Sequence, residues 1–190
     1  MASHLILASA SSRRLDLLSQ VGITPDSIIA PNIDETPLAG EQPRQLVTRL
    51  AAAKSAQVAA IKGGSVVLAA DTVVACGHRI LDKAETIEDA EAHLHLLSGR
   101  RHRVYGGVTV ICPDDRVRSR LVITQVSFKR LHKTDIDAYL EIGEWQDKAG
   151  GYAIQGLAGG FVKRINGSYS NVVGLPLYET LALLKSVGVS

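Results

Sequence analysis

The sequence predicts a mixed α/β fold in which helices flank a central sheet. Three observations predict it. Glycine and proline divide the chain into alternating strand and helix patterns, with no long polar linker and no self-similar repeat. Residues 65–74 are β-branched and almost wholly apolar, the composition of a strand buried on both faces. Further on, Val122, Thr124, Val126 and Phe128 alternate with Gln125, Ser127 and Lys129, the period of a half-exposed strand. The chain has 190 residues, 46% of them hydrophobic, enough for a substantial core, and one unit over residues 1–190 is the economical division.

Each element has its own signal. A strand over 5–8 leads into a helix over 13–20, where Leu15, Leu17, Leu18 and Val21 form one apolar stripe and Gly22 stops it. A short strand at 27–30 ends at Pro31, and the loop 32–37 precedes a long helix over 43–61. That helix carries Leu46, Val47, Leu50, Ala53 and Val58 at helical spacing, with Arg44, Arg49 and Lys54 expected on its opposite face. After the apolar strand, Gly77-His78 makes a turn and 79–81 a short returning strand. Thr86 caps a helix over 86–97, Glu88 lies in its first turn, and Gly99 closes it. Strands over 102–112 and 117–130 join through a turn begun by Asp115. A helix over 134–142 capped by Thr134, a glycine-rich segment over 149–160, a strand over 161–165 and a helix over 176–187 complete the chain.

Composition excludes several functions. A formal charge of +2, from 21 basic and 19 acidic residues, is too small for nucleic-acid binding through a general basic field, so any anion binding is local. No apolar run reaches the length of a membrane span, and the start Met-Ala-Ser-His-Leu-Ile-Leu-Ala lacks the basic n-region of a secretory signal. The cytoplasm is the expected location. Cys76 and Cys112 lack metal-ligand spacing and read as small buried hydrophobes. The six histidines form no zinc-hydrolase pair, and neither a nucleophile elbow nor a Walker loop is present.

Chemistry concentrates in four places. In 5–14, Leu-Ile-Leu-Ala-Ser-Ala-Ser-Ser-Arg-Arg, an apolar strand delivers serines and two arginines to a helix N-terminus, whose free N–H groups favour an oxyanion. The same residues also suit a serine cap beside two solvated arginines. Asp71 is a carboxylate in an apolar strand, which is costly unless paired, hydrogen-bonded or metal-bound; otherwise it closes a turn. Asp34 and Glu35 lie on a loop bounded by Pro31 and Pro37, and an Asp71–metal–Glu35 site suits Mg²⁺, which takes carboxylates plus phosphate oxygens and water. A solvated acidic loop fits those residues equally. Arg13 and Arg14 can grip phosphate bidentately and Lys54 and Lys83 can add point charges, although each lysine alone reads as solvated. In 146–156, a glycine pair allows close approach to a ligand and Gln155 offers a donor and an acceptor to a base edge, while the bland reading is a flexible turn. Asn166-Gly167-Ser168 reads as a tight turn.

Taken together, residues 7–14, Ile33-Asp34-Glu35-Thr36-Pro37, Ala70-Asp71-Thr72-Val73-Val74, Asp147–Gln155, Asn166-Gly167-Ser168-Tyr169 and Val173-Gly174-Leu175-Pro176-Leu177 resemble the Maf nucleotide pyrophosphatases in order and over almost the whole chain. The resemblance implies a twisted sheet split into two lobes around an elongated cleft, similar to inosine triphosphatase, and often a homodimer. It implies hydrolysis of nucleoside triphosphates between the α and β phosphates with Mg²⁺ or Mn²⁺, in nucleotide-pool cleansing. The subgroup that this chain resembles acts on dTTP and UTP, including modified pyrimidine nucleotides. Asp71 matches the proton acceptor, Arg13, Thr72 and Gln155 match pyrimidine-type positions, and Ser9, Arg14, Glu35, Lys54 and Lys83 match polar positions around phosphate and metal. Ser12 and Ala84 stand where the family usually has proline, which loosens backbone beside phosphate-contacting residues without removing a functional group. The alternative reading, also from the resemblance, is a nucleotide-binding regulator of septum formation that acts without turnover.

Overall fold

The structure is a computed structural model and describes residues 4–189. Strand β1 (Leu5–Ala8) runs into α1 (Ser12–Gln20), followed by the two-residue β2 (Ser27–Ile28), α2 (Pro43–Ile61), β3 (Val66–Cys76), β4 (Arg79–Leu81) and α3 (Ile87–Leu97). Then come β5 (Arg101–Ile111), β6 (Val117–Phe128), α4 (Lys133–Ile142), a 3₁₀ turn (Leu157–Phe161), β7 (Val162–Asn166), α5 (Tyr169–Val173) and α6 (Leu177–Lys185). The sheet order is β2-β1-β3-β5-β6-β7, with β4 beside β3. β1 pairs in parallel with β2 and β3, and every other pairing is antiparallel. The expected mixed sheet flanked by helices is what forms.

Alternation along β3 divides the core. Val66, Leu68, Ala70 and Val74 join the large cluster with residues of α1, α3, α4 and α6. Val67, Ala69, Val73 and Ala75 face the other way, under Leu46, Val47, Leu50 and Val58 of α2. A two-residue period therefore sends Asp71 toward α2 and Thr72 toward α1 and α5.

Two glycines set how closely the helices approach. Gly107 of β5 pairs with Asp71, and a Cβ there would lie 2.6 Å from the Val47 carbonyl oxygen of α2. Gly106 pairs with Thr72, and a Cβ there would collide with the Asn171 side chain of α5.

Three elements differ from the sequence expectation. The fourth helix starts at Lys133, because the Asp135 carboxylate accepts from the His132 N–H at 2.9 Å and closes the first turn ahead of Thr134. The glycine-rich segment contains the 3₁₀ turn. The Asn-Gly turn feeds α5, capped by Ser168, whose hydroxyl accepts from the Asn171 N–H at 3.2 Å.

Candidate functional site

The register opens a gap beside β3. β1 pairs with it as far as Ala69, and β4 pairs from Val74 onward. Between them, among the described residues, Ala70–Val73 have a strand neighbour only on the β5 edge. Both flanking strands stop at this gap: β1 releases Ser9–Arg14 into it, and β4 releases Asp82-Lys83. The long 143–156 connection is stitched to the rim by a bridge between Lys83 and Ala149, and Gly150 N–H donates to the Leu81 and Asp82 carbonyls at 3.0 and 3.1 Å. A cleft of about 750 Å³ results. Ser9, Arg13, Arg14, Glu35, Lys54, Asp71, Thr72, Lys83 and Gln155 all line it.

On the α2 side, Asp71 is 5% exposed and Lys54 is 7% exposed. The Lys54 ammonium donates to Asp71 Oδ1 at 2.5 Å and lies 2.8 Å from Glu35 Oε1. This corrects the expectation that Lys54 occupies the solvated face of its helix. It stands four residues after Leu50 and four before Val58, so it continues the buried stripe as a charge aimed at the sheet. Burial pushes the Asp71 carboxyl above its ordinary range despite the opposing pull of Lys54 and Arg14. Burial also acts upward on Glu35, but the bond and charge of Lys54, with Lys83 and Arg14, hold it below its ordinary value. The two acids differ in direction because Glu35 is the more exposed.

Arg49, also expected to be solvated, clamps the loop that carries Glu35. Its guanidinium takes Glu41 through two bonds of 2.7 and 2.8 Å and donates to the Thr36 carbonyl at 3.0 Å. Hydrogen bonding to Arg49 holds the Glu41 carboxyl down at about 2.

On the opposite face, Arg14 donates to the Gly174 carbonyl at 2.9 Å, to Ser9 Oγ at 3.1 Å and to Thr72 Oγ1 at 3.3 Å. Burial lowers its pKa, with Asp71 opposing, and a guanidinium stays charged under such a shift. Ser9 also accepts from the Ser11 N–H at 3.1 Å, which shapes the turn into α1. Arg13 reaches the Asp147 carbonyl at 3.4 Å across the cleft mouth. Gln155 is exposed in the cleft, on a loop anchored by the Tyr139 hydroxyl, which accepts from Ala153 N–H at 2.8 Å, and by Tyr152, whose hydroxyl lies 2.8 Å from His102 Nε2.

Residues that sequence reasoning missed also shape this site. Asp82 and Glu85 line the cleft beside Asp147 and Lys148 of the already noted 146–156 segment, and Asp147 adopts a left-handed φ of 57°. Gly106-Gly107 in an otherwise β-branched run was the available signal for close helix approach. The Gly174 carbonyl had no side-chain signature.

The two carboxylate oxygens that meet one ammonium are a fit for a hard divalent cation, because such an ion needs only one or two protein carboxylates when phosphate and water complete its shell. Among the described residues there is no cluster of three or more His, Cys, Asp or Glu side chains that would cage a metal by protein alone.

The mixed α/β fold is shared with the Staphylococcus aureus Ham1 protein, which superposes with a TM-score of 0.52 at 16% identity, covering 96% of this chain and 98% of that one. The chain belongs to the Maf family, described as Maf-like protein, whose model matches residues 4–187. It is 57% identical to a dTTP/UTP pyrophosphatase of Mesorhizobium japonicum, over 97% of this chain and 91% of the relative. It is 59% identical to a dTTP/UTP pyrophosphatase of Caulobacter vibrioides, over 97% and 95%.

Proposed function

We propose that the chain is a nucleoside triphosphate pyrophosphatase that hydrolyses dTTP and UTP, and related modified pyrimidine nucleotides, to the monophosphate and pyrophosphate. The observation that carries the chemistry is the buried Asp71, bonded to Lys54 and one residue from Thr72 in the arginine half of the same cleft. Relatives of nearly equal length named for this activity support the substrate class.

In this reading the triphosphate lies across the gap in the sheet. Asp71 accepts the proton from a water that attacks the α phosphorus; a carboxyl pushed upward by burial is a better base than an ordinary aspartate. Lys54 holds that carboxylate in place. Arg14 and Ser9 hold the departing pyrophosphate, Lys83 adds charge from the opposite wall, and Arg13 closes the mouth. Glu35 and Asp71 would hold Mg²⁺ or Mn²⁺, which when bound neutralises phosphate charge. Gln155 reads the pyrimidine edge, and Thr72 contributes to selectivity through its contact with Arg14. The unit extends over residues 1–190, and a cytoplasmic location and a homodimer belong to the proposal through the family.

A regulator of septum formation acting without turnover is not favoured, since a pure binder has no use for a buried base beside a phosphate grip. A nucleotide panel assayed for pyrophosphate with Mg²⁺ and Mn²⁺ tests the reading. Turnover of dTTP and UTP well above GTP and 7-methyl-GTP is expected; equal rates on all four would refute the base assignment, and binding without turnover would favour the regulator.

A further inference from the structure

Away from the cleft, three basic doublets converge. Arg100-Arg101 opens β5, Lys129-Arg130 follows β6, and Lys163-Arg164 lies in β7. The register sets Arg101 beside Ser127 and Ser127 beside Arg164; the next row is Arg103, Gln125 and Asn166. Directly paired residues share a face of the sheet. Adjacent strands lie about 4.8 Å apart, so Arg101 and Arg164 flank Ser127 closely enough for two extended guanidinium groups to meet over one anion.

A hollow of about 440 Å³ opens at this end of the sheet, lined by Arg100, Arg101, Lys163 and Arg164 with Gln125 and Ser127. Among the described residues it shares no lining residue with the cleft, and no carboxylate lines it. Among the described residues, none of its four cations forms an ion pair, and none donates a side-chain hydrogen bond. The nearby Lys129, in contrast, is bonded to Asp135 at 3.0 Å. Unpaired like charges around a concavity attract an anion of several charges, and two arginine forks match phosphate oxygens bidentately. Phe128, the aromatic residue in the lining, is 2% exposed, so the hollow offers no platform on which a nucleic-acid base could stack.

We propose that this hollow is a second phosphate site, which binds a di- or triphosphate chain through Arg100, Arg101, Lys163 and Arg164, with Ser127 and Gln125 donating hydrogen bonds. It does not depend on whether the cleft hydrolyses nucleotides. The chain can come from free inorganic polyphosphate or from a nucleotide.

Titration of the full-length protein with inorganic tripolyphosphate, followed by backbone amide NMR, tests the proposal. Saturable shifts are expected at Gly99, Arg101, Ser127 and Arg164, resolved from those at Ser9–Arg14. The double variant Arg101→Gln/Arg164→Gln should weaken the first set about tenfold or more and leave the cleft set and the melting temperature unchanged. The same shifts with α,β-methylene dTTP identify a nucleotide as a source, and shifts with tripolyphosphate alone identify free polyphosphate. Absence of saturable shifts at millimolar tripolyphosphate, equal affinity in the double variant, or tighter binding of a single-stranded oligonucleotide at these amides would overturn it.

Discussion

On β3, Asp71 turns toward α2 and meets Lys54, whereas Thr72 turns to the other face of the sheet and meets Arg14. The first half of the cleft is acidic, with Asp71 and Glu35 gathered by one ammonium. The second is built from a guanidinium, two hydroxyls and a carbonyl. Both open onto one cleft because β1 and β4 leave the edge of Ala70–Val73 unpaired between them. Simple strand alternation thus separates the carboxylate half of the cleft from the arginine half while keeping them one residue apart; under the proposed mechanism the first transfers the proton and the second captures the leaving group.

The strongest way to break this division is to remove the base. Asp71→Asn should lower pyrophosphate release from dTTP by about 10²–10⁴-fold at saturating nucleotide and metal, read from steady-state kinetics. Near-native turnover at saturating metal would sink the acidic half's assigned role.

Acid should also act on Thr72's face. His102 lies there against Tyr152, and burial lowers its pKa to about 4, so the folded protein holds it neutral while the unfolded chain titrates near about 6.5. Its contribution is fully present above the unfolded value and is lost as pH falls toward the folded one, by about 3 kcal/mol in all. Urea denaturation between about pH 7 and pH 4.5 should show this loss, and His102→Gln should flatten it.

Arg14→Lys tests the arginine half. A lysine cannot reproduce the bonds to Gly174, Ser9 and Thr72 together, and kcat/KM for dTTP should fall by about ten- to a hundredfold, with Asp71-dependent pH behaviour retained. The paired glycines sharpen the contrast further. Gly107→Ala should push α2 away and cost about 1–3 kcal/mol, with the loss of activity falling on kcat as Lys54 leaves Asp71. Gly106→Ala should displace Asn171 and act more on KM. Smallest is Arg49→Ala, which frees the Glu35 loop: stability should change by about 1 kcal/mol or less, while the metal concentration for half-maximal activity rises.

The legibility of the site follows the same division. Asp71 stood out because a charge inside an apolar strand demands compensation, and the Ser9–Arg14 run stood out through helix-start chemistry. A lysine reads as a member of the polar face with Arg44 and Arg49, whereas the spacing from Leu50 to Val58 puts Lys54 on the buried stripe, where its ammonium meets Asp71. The gap beside Ala70–Val73 depends on where two partner strands stop, a property of tertiary register that no local pattern encodes. The same holds for the Gly174 carbonyl. α5 was missed because five residues carry too little periodicity, though Ser168 had the chemistry of a cap.

The division of labour across β3 is tested most directly by hydrolysing dTTP in heavy-oxygen water and locating the label. Attack on the α phosphorus from the Asp71 side, with pyrophosphate leaving into the Arg14 side, places the heavy oxygen in dTMP; label found in pyrophosphate would contradict it.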